Sequence, residues 1–149
     1  MGSTGMRIPG GLALAFCVLA AGNGCGPRGV GATCTGAVTI DGRPAPAGIL
    51  VEFQPQGPQG FPSLGITDAT GRYELGFTAA RKGVMPGECL VRVTVMPQIS
   101  DKGIPTVPEP LKDVRIPDRY GQRSTLTHTV KPGRNQIDIE IDTTPAKAR

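Results

Sequence analysis

The chain has 149 residues, about the size of one domain. It contains 22 glycines and 15 prolines, which argues against a helical bundle because both residues break helices. The net charge is +4, and the single histidine excludes a metal centre built from several histidines. Basic residues form no run longer than Arg81-Lys82 and few aromatics lie among them, so the pattern of a nucleic-acid-binding protein is missing.

Residues 1–24 have the organisation of a secretory signal peptide. Arg7 supplies a positive charge, and residues 12–21 form an apolar run shorter than the ~20 residues that a membrane-spanning helix needs. Small residues then precede Cys25, an arrangement that resembles a bacterial lipobox. The resemblance implies lipidation of Cys25 and a membrane-anchored place in the cell envelope, facing the periplasm or the exterior. Ordinary cleavage after Gly22 or Gly24, giving a soluble secreted protein, is the alternative.

Residues 25–32 are glycine-rich without an apolar period, which predicts a flexible tether. Two cysteines then remain in the exported chain, Cys34 and Cys89. Both fall on the apolar face of a predicted strand. A disulfide between them and a pair of buried free thiols both fit the sequence.

From Thr33 onward, apolar and polar residues alternate with a period of two, which is typical of half-buried strands. Glycine- and proline-rich turns separate these segments. We predict about seven strands, at 33–40, 48–54, around 64–66, and at 72–78, 88–96, 125–131 and 135–142. The pattern therefore predicts an all-β domain over 33–142, an Ig-like β-sandwich, followed by a polar tail at 143–149.

Residues 97–124 form a long irregular connection whose five prolines exclude a central strand. Loops on a rigid scaffold often carry function, so we expect a contact surface here. Arg119 and Tyr120 are the candidate ligand-binding residues of this loop. Tyr120 and Phe61 are loop aromatics, which could stack on sugars.

Three motifs punctuate the strands. They are Cys34-Thr-Gly36-Ala-Val38-Thr-Ile-Asp41-Gly42-Arg-Pro44, then Thr67-Asp68-Ala-Thr-Gly71-Arg-Tyr73-Glu-Leu75, and then Pro86-Gly87-Glu-Cys89-Leu-Val91-Arg-Val93. Together they resemble the carboxypeptidase regulatory-like domains, a group of transthyretin-like β-sandwiches. The whole pattern is similar to small bacterial envelope lipoproteins that contain one such domain and an Ile-Pro-x-x-Tyr segment, here Ile116 to Tyr120.

The motif residues are interpreted as turn chemistry and core packing. Gly36, Asp41, Gly42, Gly71, Pro86 and Gly87 are assigned to turns, and Tyr73 enters the core. We expect the Asp68 carboxylate to accept backbone N–H groups across its turn. A calcium site would need six to eight oxygen ligands, and the sequence has no matching acidic loop, so we expect no metal.

We therefore expect a non-enzymatic, lipid-anchored module that binds the membrane through its lipid and contacts an envelope protein or a polysaccharide. No cofactor and no nucleic acid are expected. A secreted carbohydrate-binding domain and a transthyretin-related small-molecule hydrolase are the alternatives. Those hydrolases use several histidines and a C-terminal Tyr-Arg-Gly-Ser, both missing here, and the lone His128 is interpreted as structural.

Overall fold

The computed structural model describes residues 31–58, 60–78 and 81–144. The predicted signal peptide, Cys25 with most of the predicted tether, and residues 145–149 of the predicted tail lie outside the described residues. Within the described part, two β-sheets enclose one apolar core. The prediction of an all-β sandwich is confirmed.

The first sheet is built on β1 (Ala32–Ile40). Two strands from the C-terminal part of the chain, β12 (Gly133–Gln136) and β13 (Ile139–Ile141), pair with β1 in parallel. Two others, β2 (Arg43–Pro44) and β5 (Arg72–Glu74), pair with it in antiparallel fashion. The turn Asp41-Gly42 joins β1 to β2 with φ values of 49° and 77°, as the tightest hairpin turns require.

The second sheet has six strands, and β3 and β8 form its centre. Its strand order is β11 (Thr127–Val130), β8 (Gly87–Val95), β3 (Ile49–Pro55), β4 (Ser63–Ile66), β6 (Gly76–Thr78) and β7 (Arg81–Lys82). A separate hairpin, β9 (Gln98–Ile99) and β10 (Pro105–Thr106), and a 3₁₀ helix at Glu109–Leu111 lie in the long connection.

Alternate side chains of both sheets form the core, as the period of two predicts. The fully buried members include Val38, Ile49, Val51, Phe53, Val91 and Val93. The Phe53 ring lies at the centre, with its centroid 6.4 Å from that of Tyr73 and 6.5 Å from that of His128. His128 thus packs on a core aromatic.

Three predicted boundaries are wrong. Ala32 belongs to β1 and is buried, so the predicted tether 25–32 overlaps the strand. The predicted strand 72–78 divides at Leu75, because the chain leaves β5 in one sheet and continues as β6 in the other. The predicted strand 135–142 divides at Ile137-Asp138. There the Ala37 N–H donates to the Asp138 carboxylate at 2.9 Å and not to a backbone carbonyl.

Of the two alternatives that the sequence left open for Cys34 and Cys89, the structure has the free thiols and no disulfide. Cys34 and Cys89 are both buried free thiols in different sheets, and each Sγ lies near its own backbone. Cys34 Sγ is 3.9 Å from the Thr35 carbonyl, and Cys89 Sγ is 3.8 Å from the Gly87 carbonyl. Burial raises the pKa of the Cys34 thiol to about 11 and also raises that of Cys89, so both are poor nucleophiles.

Strand direction gives the sandwich two distinct ends. We call the end where Gly31 leads into β1 the proximal end, and the opposite one the distal end. Ala32 is paired with Gly133 and bridged to Val84, and Pro55 lies opposite Cys89, so these residues mark the proximal end. The Asp41-Gly42 turn and the end of β8 mark the distal end, because Ile40 pairs with Ile141 and Ile49 with Val95.

Candidate functional site

The long connection lies at the distal end and is fixed to the core. Leu111, in the 3₁₀ helix, is buried, and a Cβ on Gly48 would approach its Cδ1 to 2.8 Å. Val107, Val114 and Ile116 also pack against the core. The connection is therefore a structured rim, which is the condition for a loop to form a defined contact surface.

The two candidate ligand-binding residues clamp this rim. The Arg119 guanidinium donates to the carbonyl oxygens of Asp142 and Thr144, the latter at 2.9 Å, and lies 5.1 Å from the centre of the Tyr120 ring. The Tyr120 hydroxyl accepts the Asp142 N–H at 3.3 Å. The structure thus brings Arg119 and Tyr120 together at the end of β13, where their polar atoms hold the chain's own backbone.

Two adjoining cavities flank the segment from Asp113 to Gln122, and we call them together the distal groove. One has a volume of about 590 Å³ and includes Asp41, Arg43 and Arg115 in its lining. The other has about 340 Å³ and shares Val114, Arg115 and Thr143 with the first. The sequence analysis missed Arg43 and Arg115, because no motif connects two arginines so far apart in the chain.

Two of the acids beside the groove, Asp41 and Asp142, hold the chain's own backbone, while Asp113 and Asp118 also line it. Asp41 accepts the Thr143 hydroxyl at 2.6 Å and the Thr143 N–H at 2.9 Å, and these bonds lower the pKa of Asp41. Asp142 is likewise bonded to Thr144, which lowers its pKa. Arg43 and Arg115 are exposed at the groove, and guanidinium groups can pair with carboxylates or phosphates of a partner.

A projecting apolar feature adjoins this end. The hairpin of β9 and β10 exposes Ile99 (69%) and Ile104 (58%) on either side of its tip. The tip is closed by a bond from the Ser100 N–H to the Ile104 carbonyl at 2.9 Å. Exposed isoleucines on an ordered hairpin are typical of a protein contact surface. The sequence does not predict this apolar pair, because each isoleucine stands alone among polar residues.

The first two motifs come together in the first sheet. Gly36 on β1 pairs with Tyr73 on β5, and the Tyr73 hydroxyl donates to the Ile137 carbonyl at 2.6 Å. Burial raises the pKa of Tyr73 and keeps it a neutral donor. Gly71 packs against Val38, whose N–H donates to the Gly71 carbonyl at 2.8 Å. These residues form a structural junction.

The third motif is separate from this junction. Pro86 and Gly87 lie at the proximal end, where Gly87, with a φ of 131°, opens β8. Asp41 and Gly42 form the β1–β2 turn at the opposite end. The motif residues therefore do not converge on one site.

The Asp68 carboxylate closes the turn before β5. Its Oδ1 accepts the Thr70 hydroxyl at 2.7 Å, the Thr70 N–H at 2.8 Å and the Arg72 N–H at 3.0 Å. The Thr70 hydroxyl contributes most to lowering the pKa of Asp68, and the two N–H groups add to it. This arrangement accounts for an aspartate at this position without a metal.

We expect the free energy of unfolding to fall as the pH is lowered below about 4. Asp41, Asp68 and Asp142 have lower pKa values in the folded chain than in the unfolded chain, so on acidification the unfolded chain binds protons first. The stabilisation by these three carboxylates is complete above their unfolded pKa and is lost as the pH falls toward their folded pKa values. Asp68→Asn should be less stable at pH 7 and should show a shallower loss between pH 5 and 3. Urea unfolding at each pH measures this, and an unchanged slope would contradict it.

Among the residues that the structure describes, no group of three or more histidine, cysteine, aspartate or glutamate side chains is placed to hold a metal ion. No helix within the described ranges is long and apolar enough to cross a membrane.

Comparison with known proteins finds similarity to solved structures. No protein-family model matches the chain, and no curated protein matches it. The chain is similar in structure to a DUF3823 family protein from Parabacteroides merdae, with 15% sequence identity and a TM-score of 0.42. The match covers 74% of this chain and 45% of that protein, so the chain spans less than half of the relative's length.

Proposed function

We propose that the protein is a lipid-anchored component of the cell envelope, facing the periplasm or the exterior, and that its β-sandwich is a non-enzymatic binding module. The observation that carries this proposal is the construction of the distal end. A long connection is fixed to the core by Leu111 and clamped by Arg119 and Tyr120, and it leaves an ordered groove and an exposed hairpin. A rigid scaffold that presents ordered loops is a common design for binding.

The proposed domain is of the carboxypeptidase regulatory-like type. The roles of the motif residues support this assignment, since Gly36, Gly71 and Tyr73 serve the junction between β1 and β5, and Asp68 closes a turn. In each case the motif residue supports the fold, as the resemblance implies.

The proposed partner is another envelope protein. The exposed Ile99 and Ile104 offer apolar contacts, and Arg43 and Arg115 offer pairing with acidic groups. A polysaccharide is less well matched, because Arg119 lies over the Tyr120 ring that would stack on a sugar. Aromatic and apolar anchors surrounded by polar groups are the usual content of protein interfaces.

Metabolic labelling with a palmitate analogue tests the anchor. We expect label on the wild-type protein and none on Cys25→Ser, because the thiol is the site of lipid attachment. Equal absence of label in both proteins would overturn the lipid anchor.

Photo-cross-linking in intact cells tests the binding surface. A photoreactive residue at Ile99 or Ile104 should give a cross-linked partner that can be identified by mass spectrometry. Leu64, 44% exposed on the outer face of β4 and paired with Glu52 away from the distal end, is the matched control and should give none. The same products at all three positions, or none at any, would contradict a distal binding surface.

A further inference from the structure

The proximal end is where the chain leads back toward Cys25. Gly31 accepts the Gly133 N–H at 3.3 Å, and a Cβ on Gly31 would lie 3.0 Å from Pro86 Cδ, so the chain enters beside the 86–87 turn. Six residues separate Cys25 from Ala32. A fully extended chain spans at most ~3.6 Å per residue, so a lipid on Cys25 would hold this end within about 25 Å of a membrane.

This end is basic. Lys131 and Arg134, both exposed, flank the turn between β11 and β12, and β7 adds Arg81 and Lys82. The acids here are Glu88 and Glu74, and Glu74 is paired with Lys82 at 2.7 Å.

The distal end has no such excess of basic residues. Its acids are Asp41, Asp68, Asp101, Glu109, Asp113, Asp118, Glu140 and Asp142, and its basic residues are Arg43, Arg72, Lys102, Lys112, Arg115, Arg119 and Arg123. The molecule is therefore positive where the chain leads toward Cys25 and nearly balanced in charge at the other end.

The proximal end also exposes apolar surface. Phe61 is 66% exposed, and its ring is supported edge-on by Phe77 at 6.1 Å. Beside the entry of the chain lies a shallow cavity of about 520 Å³, whose lining includes Pro58, Met85 and Pro86. Aromatic rings and basic side chains together are typical of protein surfaces at the headgroup level of a bilayer.

We propose that the proximal end docks on the surface of an anionic phospholipid bilayer. Phe61 and the neighbouring prolines lie at the headgroup level, and Lys131 and Arg134 contact the lipid phosphates. The orientation rests on the proposed lipid anchor, while the docking can be tested without it. Docking at this end turns the distal groove and the hairpin away from the membrane, toward a partner.

Vesicle binding by the unacylated protein tests the proposal. The core side chains that the structure describes lie between Ala32 and Ile141, so the chain from residue 25 onward, carrying Cys25→Ser, retains them and serves as the probe once circular dichroism has shown it to be folded. It is sedimented with vesicles of phosphatidylglycerol and phosphatidylethanolamine, or of phosphatidylcholine alone. We expect binding only to the anionic vesicles, with loss at high salt because the attraction is screened.

Matched variants locate the binding surface. Removing a basic residue at a membrane surface weakens binding about fivefold, so Lys131→Gln with Arg134→Gln should lose about 25-fold. Lys102→Gln with Lys112→Gln removes the same charge from the distal end and should bind as wild type does. Phe61→Ala should weaken binding as well, and circular dichroism verifies that each variant is folded.

Three results would overturn the docking proposal: no binding to the anionic vesicles, equal binding to both vesicle types, or an equal loss in the two double variants. None of them bears on the lipid anchor, which palmitate labelling tests separately. Binding that follows the expected pattern, together with unlabelled Cys25, would support docking and overturn the anchor alone.

Discussion

Gly36→Ala is expected to lower the free energy of unfolding by about 3 kcal/mol or more, at the upper end of overpacking effects. An added Cβ would lie 1.8 Å from the Ile137 carbonyl oxygen and 3.0 Å from the Tyr73 ring. Both contacts are with rigid parts of the junction, so β1 would have to move away from the β12–β13 segment. That movement would also break the 2.6 Å bond from the Tyr73 hydroxyl to the Ile137 carbonyl.

Thermal and urea unfolding measure the Gly36→Ala effect. For a domain of this size, 3 kcal/mol corresponds to a fall in Tm on the order of 10 °C or more. Gly57→Ala is the control, because a Cβ at Gly57 meets nothing within 4 Å, and it should unfold like wild type. Equal stability of the two variants would show that β1 and Ile137 do not approach each other as described.

Phe53→Ala is expected to cost about 3–5 kcal/mol, the usual range for deleting a buried aromatic side chain. The Phe53 side chain is fully buried near Tyr73 and His128, and its strand β3 lies between β4 and β8. The remaining cavity cannot close without moving a central strand.

Phe61→Ala removes the same side chain from the surface and serves as the control. Phe61 is 66% exposed, so we expect little change in stability. Chemical denaturation of both variants measures the difference. A Phe53→Ala protein as stable as Phe61→Ala would contradict the described core.

Strand positions could be predicted from the sequence because a period of two follows directly from strand geometry. Ile49, Val51 and Phe53 are buried as that period requires. The division at Leu75 could not be predicted, since Tyr73 and Leu75 keep the same period while the backbone changes its hydrogen-bonding partner from one sheet to the other. The period of two predicts which face of a strand is buried, but it does not predict which strand pairs with it or in which sheet.

The geometry of the candidate site could not be predicted, because it is formed by contacts between residues far apart in the sequence. Arg119 and Tyr120 suggested a ligand loop by their chemistry alone, but their partners near Asp142 follow more than twenty residues later. Leu111 enters the core from a segment without any period, so its burial could not be predicted. The inward direction of Cys34 and Cys89 likewise did not fix the geometry that a disulfide needs.

The parallel pairing of β1 with β12 and β13 has a consequence for folding order. Two neighbours of β1 follow it by about a hundred residues, so that sheet cannot be completed until this later part of the chain has been synthesised. Until those residues emerge, the backbone edge of β1 that pairs with β12 and β13 stays open. An open strand edge can pair with another chain, so we expect an incomplete chain to be prone to association at β1 until this sheet is closed.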